Sequence, residues 1–303
     1  MKFTKMQGAG NDYIYVNCFQ EKVEHPSETA IAVSDRHFGV GADGLVLIGP
    51  SAKADFFMDI YNADGSQAKM CGNATRCVAK YVYDNGMTKK TDITLETRSG
   101  IKQIHMELLD KKVHSATVNM GKPELAAEKI PTRFDTADVI SQKLTIEGER
   151  EETYPVTCLS MGNPHCVVFT DTPTMALPLS EIGPKFEHHP MFPDRVNTEF
   201  VRVLSEHEIE MRVWERGSGE TLACGTGACA AAVASVLNGF CVRKEEIKVR
   251  LRGGILYILW QEDGSVLMRG PANTVCTGEI DLATCGKNPE KLSLSAEGNH
   301  ANQ

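Results

Sequence analysis

Met70-Cys71-Gly72-Asn73-Ala74-Thr75-Arg76-Cys77 runs directly into Val78-Ala79-Lys80-Tyr81-Val82-Tyr83, and Ala223-Cys224-Gly225-Thr226-Gly227-Ala228-Cys229 runs into the apolar stretch from Ala230 to Leu237. In both, a cysteine followed by glycine and a small polar residue precedes apolar side chains at helical spacing. Each thiol is therefore expected at a helix N-terminus. Unpaired backbone N–H groups and the helix dipole favour negative charge there, which stabilises a thiolate and can hold a carboxylate beside it. One such cysteine reads most simply as packing, because cysteine is often buried as a small apolar residue. The second copy makes an acid/base pair of thiols the stronger reading.

The copy is part of a longer internal repeat. Cys224 follows Cys71 by 153 residues, and Gly10-Asn11-Asp12-Tyr13 is echoed by Gly162-Asn163-Pro164-His165 at nearly the same offset. Tyr61-Asn62-Ala63-Asp64-Gly65-Ser66 and Trp214-Glu215-Arg216-Gly217-Ser218-Gly219 each start ten residues before their cysteine. After the helices, Ile93 to Gly100 resembles Ile247 to Gly254, both alternating like strands and ending in a glycine turn. Short β-rich segments fill the rest: Phe3 to Met6, Tyr13 to Cys18, Leu45 to Ile48, Phe56 to Tyr61, Ile101 to Leu108, Val113 to Met120, Ile255 to Gln261 and Ser265 to Arg269. Ser27 to Ser34 reads as a further helix capped by Ser27.

This order predicts an α+β fold of two structurally similar halves related by a pseudo-two-fold axis, each β-rich and wrapped around a central helix. The expected division is 1–116, completed by a strand from about 264–282, and 117–263. A polar tail of 283–303, expected to be flexible, follows. Pro131 to Glu152 fits the repeat least and reads as a surface insertion or hairpin extension. The predicted axis would bring both thiols to one ligand from opposite sides.

Composition bounds the function. With 303 residues, a net charge of −8, 42% hydrophobic and 24% charged residues, the chain reads as an ordinary globular protein of two domains. The acidic balance and the absence of a Lys/Arg stripe give no nucleic-acid partner. No signal peptide and no span of about 20 apolar residues is present, so a cytoplasmic protein without membrane contact is expected. Ten cysteines in such a chain are read as reduced thiols. The six- and five-residue spacings Cys71/Cys77 and Cys224/Cys229 lack the tight pairs of a zinc site, so no metal and no cofactor is expected.

Opposed cysteines suit proton transfer at a carbon next to a carboxylate, one thiolate removing the α-proton and the other thiol reprotonating the opposite face. Racemisation or epimerisation results. The N–H groups near Gly72, Asn73, Gly225 and Thr226 are placed to grip the reacting carboxylate and take up developing charge. At this point the sequence resembles the diaminopimelate epimerases. The resemblance rests on residues 5–12 (KMQGAGND), 35–44 (DRHFGVGADG), 61–66 (YNADGS), both cysteine stretches, Gly162 to His165, Arg195-Val196-Asn197 and Trp214 to Gly217. It implies cofactor-independent interconversion of L,L- and meso-diaminopimelate, serving lysine and peptidoglycan biosynthesis, with Cys71 and Cys224 as the base and acid. It further implies that Gly72, Asn73, Gly225 and Thr226 bind the reacting carboxylate and that Asn62, Asn197 and Arg216 recognise the distal one. Glu215, Asn11 and Asn163 would meet the ammonium groups or line the site, with His165 in support. The expected partners are this small-molecule substrate and a second copy of the chain in a homodimer.

Each residue has a plainer reading. Asn62 and Asn197 are also turn formers, Glu215 and Arg216 a surface ion pair, and His165 a structural histidine. Gln7 stands where the family usually has histidine, Gly44 where some members have glutamine, and Thr75 where many have a small or aliphatic residue. Two alternatives stay open: a racemase of histidine or proline on the same fold, and a thiol redox or binding module.

Overall fold

The computed structural model describes residues 1–147 and 151–286. The first repeat runs β1 (Lys2–Gly8), β2 (Asn11–Asn17), α1 (Pro26–Ser34), β3 (Gly44–Gly49), β4 (Phe56–Asn62), β5 (Gln67–Ala68), α2 (Gly72–Asp84), β6 (Asp92–Thr97), β7 (Gly100–Leu109), β8 (Lys112–Gly121) and β9 (Gln142–Ile146). The second runs β10 (Glu152–Ser160), β11 (Pro164–Phe169), α3 (Leu179–Glu187), β12 (Asn197–Ser205), β13 (Glu208–Glu215), β14 (Gly219–Thr221), α4 (Gly225–Leu237), β15 (Glu246–Leu251), β16 (Gly254–Trp260), β17 (Val266–Pro271) and β18 (Asn273–Glu279). The order is the same twice over.

Strand pairing repeats as well. β1–β2 is antiparallel, β2–β3 parallel, β3–β4 antiparallel and β4–β6 parallel. β10–β11, β11–β12, β12–β13 and β13–β15 follow in the same senses. By contacts the chain divides into two compact units, Met1–Gln103 with the segment from Ala272, and Ile104–Pro271. In the first unit β18 pairs antiparallel with β1, and in the second β9 pairs antiparallel with β10. The first unit thus takes β18 from the second repeat, and the second takes most of β7 with β8 and β9 from the first.

Burial explains which segments became strands. Tyr13, Ile14, Tyr15 and Val16 of β2 are all buried, the unbroken apolar run expected of a strand covered on both faces. β6 and β16 alternate buried and partly exposed positions, as strands with one face on the core do. In the first unit Ile14, Val16, Ala30, Val33 and Leu45 pack into one core cluster. In the second, Phe186, Phe192, Val196 and Phe200 anchor another. α4 is enclosed: Ala230, Ala231, Ala232, Val233 and Ala234 are all buried, and strands from β10 to β17 lie against it. Small side chains all round let those strands approach. α2 lies against β1, β2 and β18.

The local structure corrects or completes the sequence reading at three places. Ser27 does not cap α1: the helix starts at Pro26, whose fixed φ suits a first position, and Ser27 Oγ donates to Gly65 O at 2.7 Å. α3 was hidden by Gly183 and Pro184, and it forms because Gly183 lies flat on the Trp214 ring, where a Cβ would fall 2.4 Å from Cδ2. The Pro131 to Glu152 segment contains β9, with Leu144 and Ile146 buried, so the hairpin reading is the one realised. Its residues 148–150 lie outside the described residues. So does the expected tail from 287 onward, whereas Cys285 is buried and its thiol donates to Ala32 O at 3.4 Å.

Candidate active site

Cys71 is the N-cap of α2, with extended backbone (φ −138°, ψ 120°), and its Sγ accepts the Ala74 N–H at 3.5 Å. That contact spends the third N–H of the helix on sulfur and leaves those of Gly72 and Asn73 ahead of it. Asn11 Oδ1 lies 3.4 Å from both Cys71 Sγ and Asn73 Nδ2. Asn11 is itself held by Asp43, which accepts from its Nδ2 at 2.8 Å and from the Asp12 N–H at 3.2 Å. Burial, and then the charge of Asp12, push the Asp43 carboxyl up. The turn that presents Asn11 carries positive φ at Ala9 and Gly10, and Gln7 Oε1 closes it by accepting the Gly10 N–H at 2.9 Å. The departure at Gln7 therefore has a structural use.

Behind the helix start, Arg76 is fully buried. Its Nη2 donates to Asn73 Oδ1 at 2.8 Å and its Nη1 to Gly72 O at 3.3 Å, which fixes the Asn73 amide. A Cβ on Gly8 would meet that guanidinium at 3.0 Å. Thr75 turns its hydroxyl onto Cys71 O at 2.9 Å. Asn62, half-buried at the end of β4, donates to Ser66 Oγ at 3.0 Å rather than joining this cluster. At Gly44 a Cβ would fall 2.1 Å from Tyr61 O, so no larger residue fits this backbone path.

In the second unit Cys224 is the N-cap of α4 (φ −119°, ψ 114°), and its Sγ accepts the Gly227 N–H at 3.4 Å. Thr226 Oγ1 lies 3.4 Å from that sulfur and receives the Asn163 Nδ2–H at 3.2 Å. Asn163 Oδ1 lies 3.0 Å from His165 Nε2, and His165 Nδ1 lies 2.7 Å from Glu199 Oε1. Both His165 and Glu199 are fully buried. Thr221 donates to Glu215 Oε1 at 2.5 Å. Burial, then the charges of Glu215 and Glu199, push the Cys224 thiol well above its ordinary value, against the pull of the Thr226 hydroxyl and the Gly227 N–H. The thiolate expected at a helix start is therefore not the resting form here: desolvation and two carboxylates outweigh the helix. Burial likewise raises the Glu215 carboxyl, against bonds from Thr221 and Cys224.

Asn197 is buried, donating to Pro164 O at 3.0 Å and accepting the Arg216 N–H at 2.9 Å, which ties the Arg216 loop to β11. Its second amide N–H remains for an acceptor on a ligand. Arg216 is exposed and donates from Nη1 to Asp194 O at 2.9 Å. Glu187 frames the loop, accepting from Trp214 Nε1 at 2.7 Å and Gly217 N at 2.9 Å.

Asn11, Cys71, Gly72 and Asn73 thus form one cluster, and Asn163, His165, Glu215, Cys224, Gly225 and Thr226 another. Glu199 and Arg76 escaped the sequence reading. The signal for each was a charge inside an apolar element, Glu199 before Phe200-Val201 and Arg76 before Cys77-Val78-Ala79. Each cluster offers a thiol, free backbone N–H groups and amide side chains, the equipment for holding a carboxylate and moving a proton at its neighbouring carbon. Among the described residues no group of three or more His, Cys, Asp and Glu is arranged to hold a metal ion, and no helix is long and apolar enough to cross a membrane.

The family model for diaminopimelate epimerase matches residues 3–126 and 157–275. The diaminopimelate epimerase of Acetivibrio thermocellus is 56% identical over 283 residues, covering 93% of this chain and 99% of its own. That of Desulfovibrio desulfuricans is 53% identical over 283 residues, covering 92% and 98%. Among solved structures, a hydroxyproline epimerase from Agrobacterium vitis with bound trans-4-hydroxy-L-proline has a TM-score of 0.65 at 17% identity, covering 95% of this chain and 92% of that one. A probable proline racemase from Agrobacterium radiobacter, with bound carbonate, has a TM-score of 0.67 at 16% identity, covering 93% of each. At such identities the likeness is one of fold.

Proposed function

The chain belongs to the diaminopimelate epimerase family and is an isomerase, and we propose that it interconverts L,L- and meso-diaminopimelate with Cys71 and Cys224 as its acid/base pair. The observation that carries this reading is the matched placement of the two thiols. Each is the N-cap of a 13-residue helix that opens with glycine and a small polar residue.

The chemistry follows from what these groups can do. The α-proton of an amino acid is very weakly acidic, so charge leaving that carbon must be received as it forms. The N–H groups of Gly72, Asn73, Gly225 and Thr226 bind the adjacent carboxylate and receive it. One sulfur takes the proton while the other delivers its own to the opposite face, and the centre inverts. Burial and the neighbouring carboxylates favour the neutral form of the Cys224 thiol, the form that acts as acid in one direction. The roles exchange when the reaction runs backwards.

Asn62, Asn197 and Arg216 recognise the distal carboxylate, Arg216 through its planar fork. A substrate without that carboxylate leaves the buried Asn197 amide short of a partner, at a cost of about 1–3 kcal/mol. Asn11, Asn163 and Glu215 meet the ammonium groups. The product serves lysine and peptidoglycan synthesis, and the enzyme works in the cytoplasm as a homodimer.

Proton NMR in deuterated water tests the proposal, with L,L-diaminopimelate, histidine, proline and glutamate offered separately to the enzyme without added cofactor. The expected result is loss of the α-proton signal and appearance of the meso isomer with diaminopimelate only. Exchange with a different amino acid instead would refute the substrate assignment, and no exchange with any would refute the activity.

A further inference from the structure

Glu199 is a buried carboxylate with half its hydrogen-bonding capacity unused. It is fully buried on β12, and its Oε2 has no hydrogen-bond partner. An unpaired buried carboxylate oxygen costs several kcal/mol if charged, so a fold that keeps it calls for an explanation. The face it occupies supplies one. β11 and β12 run parallel with His165 opposite Asn197, which puts Glu199 diagonally beside His165 on the face covered by α4. A Cβ added to Gly227 of α4 would fall 2.6 Å from Glu199 Oε1 and 3.3 Å from Cys224 Sγ. Carboxylate and sulfur thus border the same missing methyl.

The protons along this line can be counted. Asn163 directs Nδ2 to Thr226 Oγ1 and therefore Oδ1 to His165 Nε2. An amide oxygen only accepts, so His165 Nε2 carries hydrogen. The 2.7 Å gap between His165 Nδ1 and Glu199 Oε1 then holds one further proton, whichever side it rests on. In either form the pair is neutral as a whole, which makes its burial tolerable. Thr226 Oγ1, already accepting from Asn163, has Cys224 Sγ as the acceptor for its own hydrogen at 3.4 Å. Every link points the same way, from the buried pair toward the sulfur.

We propose that Glu199 is a positioning residue for Cys224: by holding His165 as an Nε2–H donor it orients Asn163 and Thr226 so that the Thr226 hydroxyl donates to the sulfur when it ionises. The inference rests on Cys224 being an acid/base of the reaction. Glu215 on β13 is the other carboxylate facing this sulfur, and the charges of both carboxylates oppose its ionisation, Glu215 the more. The chain from Glu199 offsets that opposition at the moment the proton leaves.

The test uses the full-length enzyme labelled with ¹⁵N in its histidine rings, together with diaminopimelate kinetics. His165 Nε2 should carry hydrogen in the native protein and in Glu199→Gln, whose amide can donate to Nδ1, with kcat kept within about threefold. Glu199→Leu should lose the fixed tautomer and lower kcat about tenfold with little change in KM. Thr226→Val, which leaves the buried pair alone, should lower kcat by a similar factor, and the double variant should fall no further than either single. An unprotonated Nε2 in the native protein would overturn the proposal. So would Glu199→Leu with native tautomer and native kcat, or losses that multiply in the double variant. The tautomer reading does not depend on turnover, so it stands or falls apart from the two-thiol mechanism, which the cysteine variants decide.

Discussion

Cys71 and Cys224 occupy the same place in two copies of one element order, yet their surroundings differ in charge. Around Cys71 stand amides: Asn11 and Asn73, tied in turn to Asp43 and to the buried guanidinium of Arg76. Around Cys224 stand carboxylates: Glu215, and Glu199 through His165. Where α2 has Arg76, α4 at the same offset has Cys229, and where α2 has Ala74, α4 has Gly227. Duplication preserved the reacting atom and its helix start, while the residues one layer back diverged. Unequal surroundings give the two thiols different proton affinities, which favours one protonated and one ionised sulfur.

The comparison breaks most sharply at the sulfurs. Cys71→Ala and Cys224→Ala should each lower net epimerisation by on the order of 10³-fold or more, followed by meso formation from L,L-diaminopimelate. Full turnover by either variant sinks the two-base scheme. The next effect comes from exchanging the residues at the third helical position. Gly227→Ala forces a methyl against Glu199 and Cys224, and should cost about 1–3 kcal/mol of stability and at least about tenfold in kcat. Ala74→Gly introduces no clash and should cost only about 1 kcal/mol, read from denaturant melts, with activity kept. Equal behaviour of the two would show that the surroundings are interchangeable after all. Arg216→Lys keeps charge but loses the fork, and should raise KM for diaminopimelate about tenfold while leaving kcat nearly unchanged.

An effect on stability rather than turnover is common to both units. The buried thiol of Cys77 is pushed up to about 11 from an ordinary 9.0, and burial also holds that of Cys166 well above its ordinary value. Above pH 9 the unfolded chain ionises these thiols while the folded one keeps them neutral. Their contribution is therefore fully present below pH 9 and is lost as pH rises toward 11, by about 3 kcal/mol for Cys77 alone. Melting curves between pH 8 and 11 should show the decline. A flat profile would mean that these thiols are not held neutral by burial.

Much of this was legible in the sequence for a physical reason. Helix starts leave N–H groups that only certain residues satisfy, so Cys-Gly-Asn and Cys-Gly-Thr before apolar spacing announce α2 and α4, and both cysteines are the caps. Strand alternation is equally local, and β3, β4 and β7 lie within a residue of where it put them. α3 was illegible because Gly183 and Pro184 break the helical pattern, while the Trp214 ring against which Gly183 packs lies 31 residues downstream. The cap of α1 was misread because Ser27 donates to a carbonyl at Gly65, a partner 38 residues along the chain.

The sequence by itself determined the repeat, which is written in the recurrence of whole motifs, and the two helix starts with the groups placed there, because those depend on neighbours a few residues away. Only the tertiary structure decided how those groups behave. Desolvation turns the Cys224 helix start from a thiolate site into a neutral thiol, and Glu199 reaches His165 across two strands. Burial and charge are sums over everything nearby in space, and no local pattern in a chain records that sum.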